Sequence, residues 1–218
     1  MSNVEESINV LSEETRQELI GRFESKLIST GRNGIERLIE FIRKSDFYTA
    51  PASSRYHSCH EGGLLEHSLN VLDRLSAKML DPVWSDALSG VDNDSIIIIA
   101  LLHDLCKTYY YVTEMKNKKV YSDKGTKSDS NGRYDWVSVP GYTVEDKIPY
   151  GHGEKSVMMI EEYIKLKPAE RYAIRWHMGF TEPKELWNTM TEAIKKYPVV
   201  MAAHEADLEA TYLLEKEE

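Results

Sequence analysis

His67, the adjacent pair His103-Asp104, His152, His177 and Asp207 form a dispersed set of imidazoles and carboxylates, most of them on segments that read as helices. Imidazole suits iron, zinc and nickel, while carboxylate adds charge and can bridge two ions. The chain has only seven histidines. At least four of them fall on apolar or small-residue stretches, where a solvated side chain does not belong. A metal site assembled across several helices accounts for the pattern most economically.

The sharpest segment is Ile96-Ile97-Ile98-Ile99-Ala100-Leu101-Leu102, which runs into His103-Asp104. Seven consecutive apolar residues have no polar face, so the segment is core. An imidazole and a carboxylate at its end are then buried, at a cost unless they are paired, hydrogen-bonded or bound to metal. Lys107 lies four residues after His103, on the same side of a continuing helix. Two readings stand at this point. Either His103 and Asp104 hold a metal with Lys107 facing an anionic substrate, or His103 is a core histidine and Asp104 pairs with Lys107.

His67 stands in Glu61-Gly62-Gly63-Leu64-Leu65-Glu66-His67-Ser68-Leu69, where two glycines end a loop and an amphipathic helix starts. Leu64, Leu65, Leu69, Leu72 and Leu75 form the apolar face, with His67 near its edge. Toward the C-terminus, Val199-Val200-Met201-Ala202-Ala203-His204-Glu205-Ala206-Asp207 ends an apolar stretch in a carboxylate flanked by small side chains.

These pieces in this order resemble the HD-domain metal-dependent phosphohydrolase superfamily. Tyr56-His57-Ser58-Cys59-His60-Glu61-Gly62-Gly63-Leu64-Leu65-Glu66-His67-Ser68 is similar to bacterial HD domains fused to 3′-to-5′ exoribonucleases. Ala100–Lys107 resembles the central motif and His204-Glu205-Ala206-Asp207 the closing one, so the likeness spans about residues 55 to 212. It implies that His67, His103, Asp104 and Asp207 hold one ion, and that His152 and His177 hold a second with Asp104 bridging. The cofactor expected is one or two divalent transition-metal ions, manganese or iron, with nickel, cobalt, zinc or magnesium as alternatives. For His152 a plain loop position is the competing reading, and for His177 a cation near a helix C-terminus. Many relatives have glycine before the lysine, where this chain has Cys106.

Two ions a few ångströms apart could activate a water and neutralise phosphoryl charge, with Asp104 and Lys107 as the catalytic pair and Lys107 also binding substrate. His57 and His60 are candidates for substrate-phosphate contacts, with solvated loop positions as the alternative. His57, His60 or Glu66 could protonate the leaving group. The expected substrate is a nucleotide-like phosphomonoester or phosphodiester, such as a nucleotide or short oligonucleotide. A di-iron oxygenase of HD type and a non-catalytic, metal-dependent nucleotide-binding module are the competing functions.

With 27 basic and 36 acidic residues the net charge is −9, which argues against broad nucleic-acid coating. Cys59 and Cys106 give no disulfide framework, there is no signal-peptide pattern, and the longest apolar run is too short for a membrane span. A cytoplasmic location follows as the expectation. The helical period is evident across the N-terminal residues 1–50 and again from about 153 onward. It vanishes over 109–149, where Val112, Val120, Tyr121, Tyr134, Trp136, Val137, Val139 and Tyr142 interleave with polar residues and Asn131-Gly132 signals a hairpin turn. The expected fold is therefore all-α: one HD-domain helical bundle over residues 1–218 with a small inserted β-hairpin arm or lid. The tail 215–218 reads as frayed.

Overall fold

The structure, a computed structural model, describes residues 11–215. Helix α1 (Glu13–Ser29) starts where the Ser12 hydroxyl accepts the Thr15 N–H at 3.1 Å, and α2 (Ile35–Lys44) packs beside it. The first ten residues of the N-terminal segment lie outside the described part. Helix α3 (Gly63–Lys78) follows the double glycine, then a single turn α4 (Pro82–Ser85), then α5 (Asn93–Leu102).

Asp92 caps α5 by accepting the Ser95 N–H at 2.8 Å, and every residue from Ser95 to Leu102 is buried. Full burial is worth ~1.5–3 kcal/mol for each large aliphatic side chain, so α5 is a fixed post through the middle of the core. It packs against α3, α1 and α7 (Pro168–Trp176). Helix α9 (Val199–Glu209) lies against both α3 and α7, while α6 (His152–Glu161) leans on α7 and α8 (Trp187–Lys196) on α9. Helices α3, α5, α6, α7 and α9 thus bring their ends to one place. Among the described residues, no helix is long and apolar enough to cross a membrane.

The all-α expectation is overturned. Residues 111–144 form a three-stranded antiparallel sheet, so the fold is mixed α and β. Strand β1 (Tyr111–Tyr121) pairs with β3 (Gly132–Val144) in continuous register from Tyr111↔Val144 to Tyr121↔Tyr134. A short β2 (Lys127–Asp129) adds to the far edge of β3. The reason lies in the same residues that suggested a small arm. Their β-branched and aromatic content favours extended backbone, and eleven matched pairs make an element, not a lid-sized turn. The β2–β3 turn falls at Ser130-Asn131, one residue before the expected Asn131-Gly132, with Asp129 accepting the Asn131 N–H at 2.9 Å.

Candidate metal centre

Helix α5 stops at Leu102, and the chain tightens into a 3₁₀ turn at Leu105–Lys107. The continuing helix expected through Lys107 is therefore absent. Asp104 has φ −105° and ψ 19°, a bridge-region conformation often found in active sites. The turn swings Lys107 back so that its Nζ lies 2.7 Å from Asp104 Oδ2 while donating to the Ala52 carbonyl at 2.7 Å.

Around this corner the six residues singled out in the sequence come together. His67 Nε2 is 3.2 Å from Asp207 Oδ1, 3.7 Å from Asp104 Oδ2 and 3.3 Å from His103 Nε2. Asp104 Oδ1 is 2.7 Å from His152 Nε2 and 3.5 Å from His177 Nε2. Asp104 thus faces two histidines on each side. His204 turns away, its Nδ1 donating to the His177 carbonyl at 2.7 Å.

Hydrogen bonding fixes the tautomers. His103 Nδ1 meets the Ala100 carbonyl at 2.8 Å and His177 Nδ1 meets the Ile174 carbonyl at 2.7 Å. Carbonyl and carboxylate oxygens only accept, so each Nδ1 carries the proton and each Nε2 presents a lone pair. His67 follows the same rule with a residue missed in the sequence. Its Nδ1 donates to Glu215, 3.0 and 3.1 Å from the two carboxylate oxygens. Glu215 is buried, accepting also from Ser58 Oγ and Asn70 Nδ2, each at 2.9 Å. The expected frayed tail is thus pinned at its first residue, while residues 216–218 lie outside the described part. A π-helical turn at Ala210–Leu214 makes the difference by redirecting Glu215 inward.

His152 differs. The Cys106 thiol, pushed up to about 12 by burial, sits 3.4 Å from His152 Nδ1, so S–H donates there and Nε2 carries the proton toward Asp104.

The donors fit a cation. Two imidazole lone pairs 3.3 Å apart beside two carboxylates are stable only with positive charge between them. His177 Nε2 is buried with no hydrogen-bond partner among the described residues, which is costly unless something binds there. Without metal, a proton does part of this work. Burial alone would lower His67, but its hydrogen bonds to Asp207 and Glu215 outweigh burial and raise it from 6.5 to about 10. Burial likewise works against Asp104 and Asp207. Lys107 and His103 nevertheless hold Asp104 well below the usual carboxylate range, and His67 does so for Asp207.

A pH dependence follows. A raised folded-state value means that His67 protonation stabilises the metal-free fold fully below pH 6.5, and that this is lost as pH rises toward about 10. The Tm of chelated protein is therefore expected to fall over that window relative to metal-loaded protein, since an ion replaces the proton. Parallel Tm curves with and without metal would contradict the assignment.

The cluster opens into a cleft of about 720 Å³ whose wall includes Asp104, Lys107, His152, His177 and Asp207. His57 also lines it, with a buried Nε2 lacking a hydrogen-bond partner among the described residues, and burial lowers this ring to about 4. His60 and Glu66 lie outside the lining and face each other at 3.1 Å. Arg55, Tyr56, Tyr111 and Tyr212 also line the cleft, with Arg55, Tyr56 and Tyr212 exposed. Nothing in the sequence pattern distinguished Arg55 from any solvated arginine.

A protein of Methanocaldococcus jannaschii named dihydroneopterin 2′,3′-cyclic phosphate phosphodiesterase is 43% identical to this chain over 63 residues. The match covers 29% of this chain and 25% of that protein, so the chain spans about a quarter of the relative's length. No protein-family profile matches the chain, and no solved structure matches it.

Proposed function

We propose that this chain is a metal-dependent phosphohydrolase of the HD type, cleaving a nucleotide-like phosphomonoester or phosphodiester. The observation that carries the reading is the convergence of imidazoles and two carboxylates beside a partly buried lysine in one cleft. The partial likeness to a named phosphodiesterase supports the same reaction class.

In this reading His67, His103, Asp104 and Asp207 hold one divalent ion, and His177 and His152 hold a second with Asp104 shared, His152 releasing as the ion binds the Nε2 proton that it donates to Asp104 in the metal-free site. Manganese or iron is the expected metal. Bound there, the ions would supply the Lewis acidity that makes water nucleophilic near neutral pH and offsets charge on phosphoryl oxygens. The chain's own groups do the rest. Lys107 has three donors, of which two go to Asp104 and the Ala52 carbonyl. The third is available to a non-bridging phosphoryl oxygen, in a site where such a contact is strong. His57 is neutral at pH 7 because of its burial, which suits it to hydrogen-bond the substrate better than to protonate the leaving group. A cleft of this volume falls within the ~300–1,000 Å³ of small-molecule sites.

The test is turnover of a chromogenic phosphodiester and of nucleoside monophosphates by chelated protein reloaded with Mn²⁺ or Fe²⁺. Metal-restored release of product supports the proposal. Dioxygen consumption by the iron-loaded protein with no phosphoester cleavage would instead favour the di-iron oxygenase.

A further inference from the structure

The loop before α3 is built more rigidly than a surface loop requires. The Ala52 N–H donates to the Ser58 carbonyl at 3.1 Å. Inside this span Ser53 Oγ donates to the His57 carbonyl at 2.9 Å and accepts the Tyr56 N–H at 2.8 Å. The Ala52 carbonyl takes hydrogen bonds from Lys107 at 2.7 Å and the Tyr111 hydroxyl at 3.2 Å. At the other end, Ser58 adopts φ 45° and its hydroxyl donates to Glu215 at 2.9 Å. A left-handed serine is uncommon and persists where its surroundings enforce it. Gly63 permits the arrangement, because a Cβ there would stand 2.0 Å from the Ser58 carbonyl oxygen.

Both ends of the loop are thus tied to groups of the metal centre, and its tip presents Arg55 and Tyr56 to the cleft. Arg55 makes no hydrogen bond or ion pair with any described residue. Every other arginine of the chain bonds a carboxylate or a backbone carbonyl. In a chain of net charge −9, a guanidinium with no carboxylate partner among the described residues, at the rim of a cleft, is available to an anion from outside. Tyr56 is 75% exposed and Tyr212, from the turn that follows α9, is 64% exposed, and both line the same cleft. Such exposed ring faces are suited to stacking on a planar heterocycle.

We propose that the 52–58 loop is a recognition loop, in which Arg55 takes an anionic group of the substrate distinct from the scissile phosphoryl while Tyr56 and Tyr212 take a planar ring. This rests on the phosphohydrolase reading and narrows it: the substrate is a nucleotide-like molecule with a second phosphate or carboxylate. Lys107, on the floor and already bonded to Asp104 and Ala52, serves the scissile group. Arg55, exposed at the rim, offers the planar two-pronged donor that a second phosphate fits.

The test is calorimetric titration of the full chain, stripped by chelator so that nucleotides stay intact. The probes are inorganic phosphate, adenosine 5′-monophosphate and adenosine 3′,5′-bisphosphate. The bisphosphate is expected to bind about tenfold or more tighter than the monophosphate, the size of one charge-assisted contact. Arg55→Ala should erase that preference, and Arg55→Lys should restore part of it. Tyr56→Ala and Tyr212→Ala should each weaken both nucleotides by about tenfold while leaving inorganic phosphate unchanged. Mono- and bisphosphate binding within about twofold of each other, or a preference that survives Arg55→Ala, overturns the proposal, as does the absence of nucleotide binding. Discrimination without turnover of any phosphoester by metal-loaded protein would sink the hydrolase reading and leave a nucleotide-binding loop. Turnover without discrimination would do the reverse.

Discussion

Asp104→Asn is expected to yield a folded chain that retains under about a tenth of the wild-type metal and cleaves phosphoesters at least a hundredfold more slowly, more than the ~10–100-fold typical of losing an outer-shell partner. The reason is position. Asp104 presents one carboxylate oxygen to each half of the cluster, with Oδ1 toward His152 and His177 and Oδ2 toward His67, His103 and Lys107. Asparagine keeps the volume and can accept from Lys107, but it cannot balance the charge of an ion. The folded chain should also lose stability, because removing one member of a buried pair leaves Lys107 uncompensated, at ~3–5 kcal/mol. Plasma mass spectrometry for metal and circular dichroism for helix content separate the two effects. Full metal content in the variant would remove Asp104 from the centre.

Glu215→Gln is expected to lower metal affinity by ~10–100-fold, the usual effect of losing a carboxylate behind a ligating histidine. The variant keeps the shape and an amide oxygen for the His67 Nδ1–H, so it removes charge while sparing most contacts. The present carboxylate takes hydrogen bonds from His67, Ser58 and Asn70, which makes it the only described acid beneath His67 Nδ1. Asn70→Ala supplies the control. It loosens the anchor of Glu215 without removing its charge, so a merely structural role predicts equal losses in the two variants. Competition against a chelator of known affinity reads the difference. Unchanged affinity in Glu215→Gln would show that His67 needs no carboxylate behind it.

What the sequence disclosed and what it hid follow from the reach of the signal. Ile96–Leu102 is apolar on all faces, so its burial and the burial of His103-Asp104 after it needed no structure. The glycine pair before α3 marked a helix start for a physical reason now visible: Gly62 has φ 84°, and Gly63 lies too close to Ser58 for any side chain. The six candidate metal ligands recognised through such local patterns are brought together by the fold, while His60 of the same glycine-flanked stretch faces Glu66 outside the cleft. Glu215 had no local pattern, because a π-helical turn decides where it points and a charged tail gave no hint of burial. The halt of α5 at Leu102 was hidden as well, since the bond from His103 Nδ1 to Ala100 and the Lys107 contact to Ala52 depend on tertiary packing. In the inserted segment, composition announced strands but not their extent. The register of β1 with β3 runs eleven pairs, long enough to change the fold class from all-α to mixed α and β.

Metal-dependent hydrolysis is tested by phosphodiester turnover of chelated protein before and after reloading with Mn²⁺ or Fe²⁺, with bound metal counted in the same sample. Negligible turnover is expected when stripped, with recovery on reloading and one to two ions per chain at full activity. Turnover that is indifferent to chelation, or full metal loading with no phosphoester cleaved, would contradict metal-dependent hydrolysis.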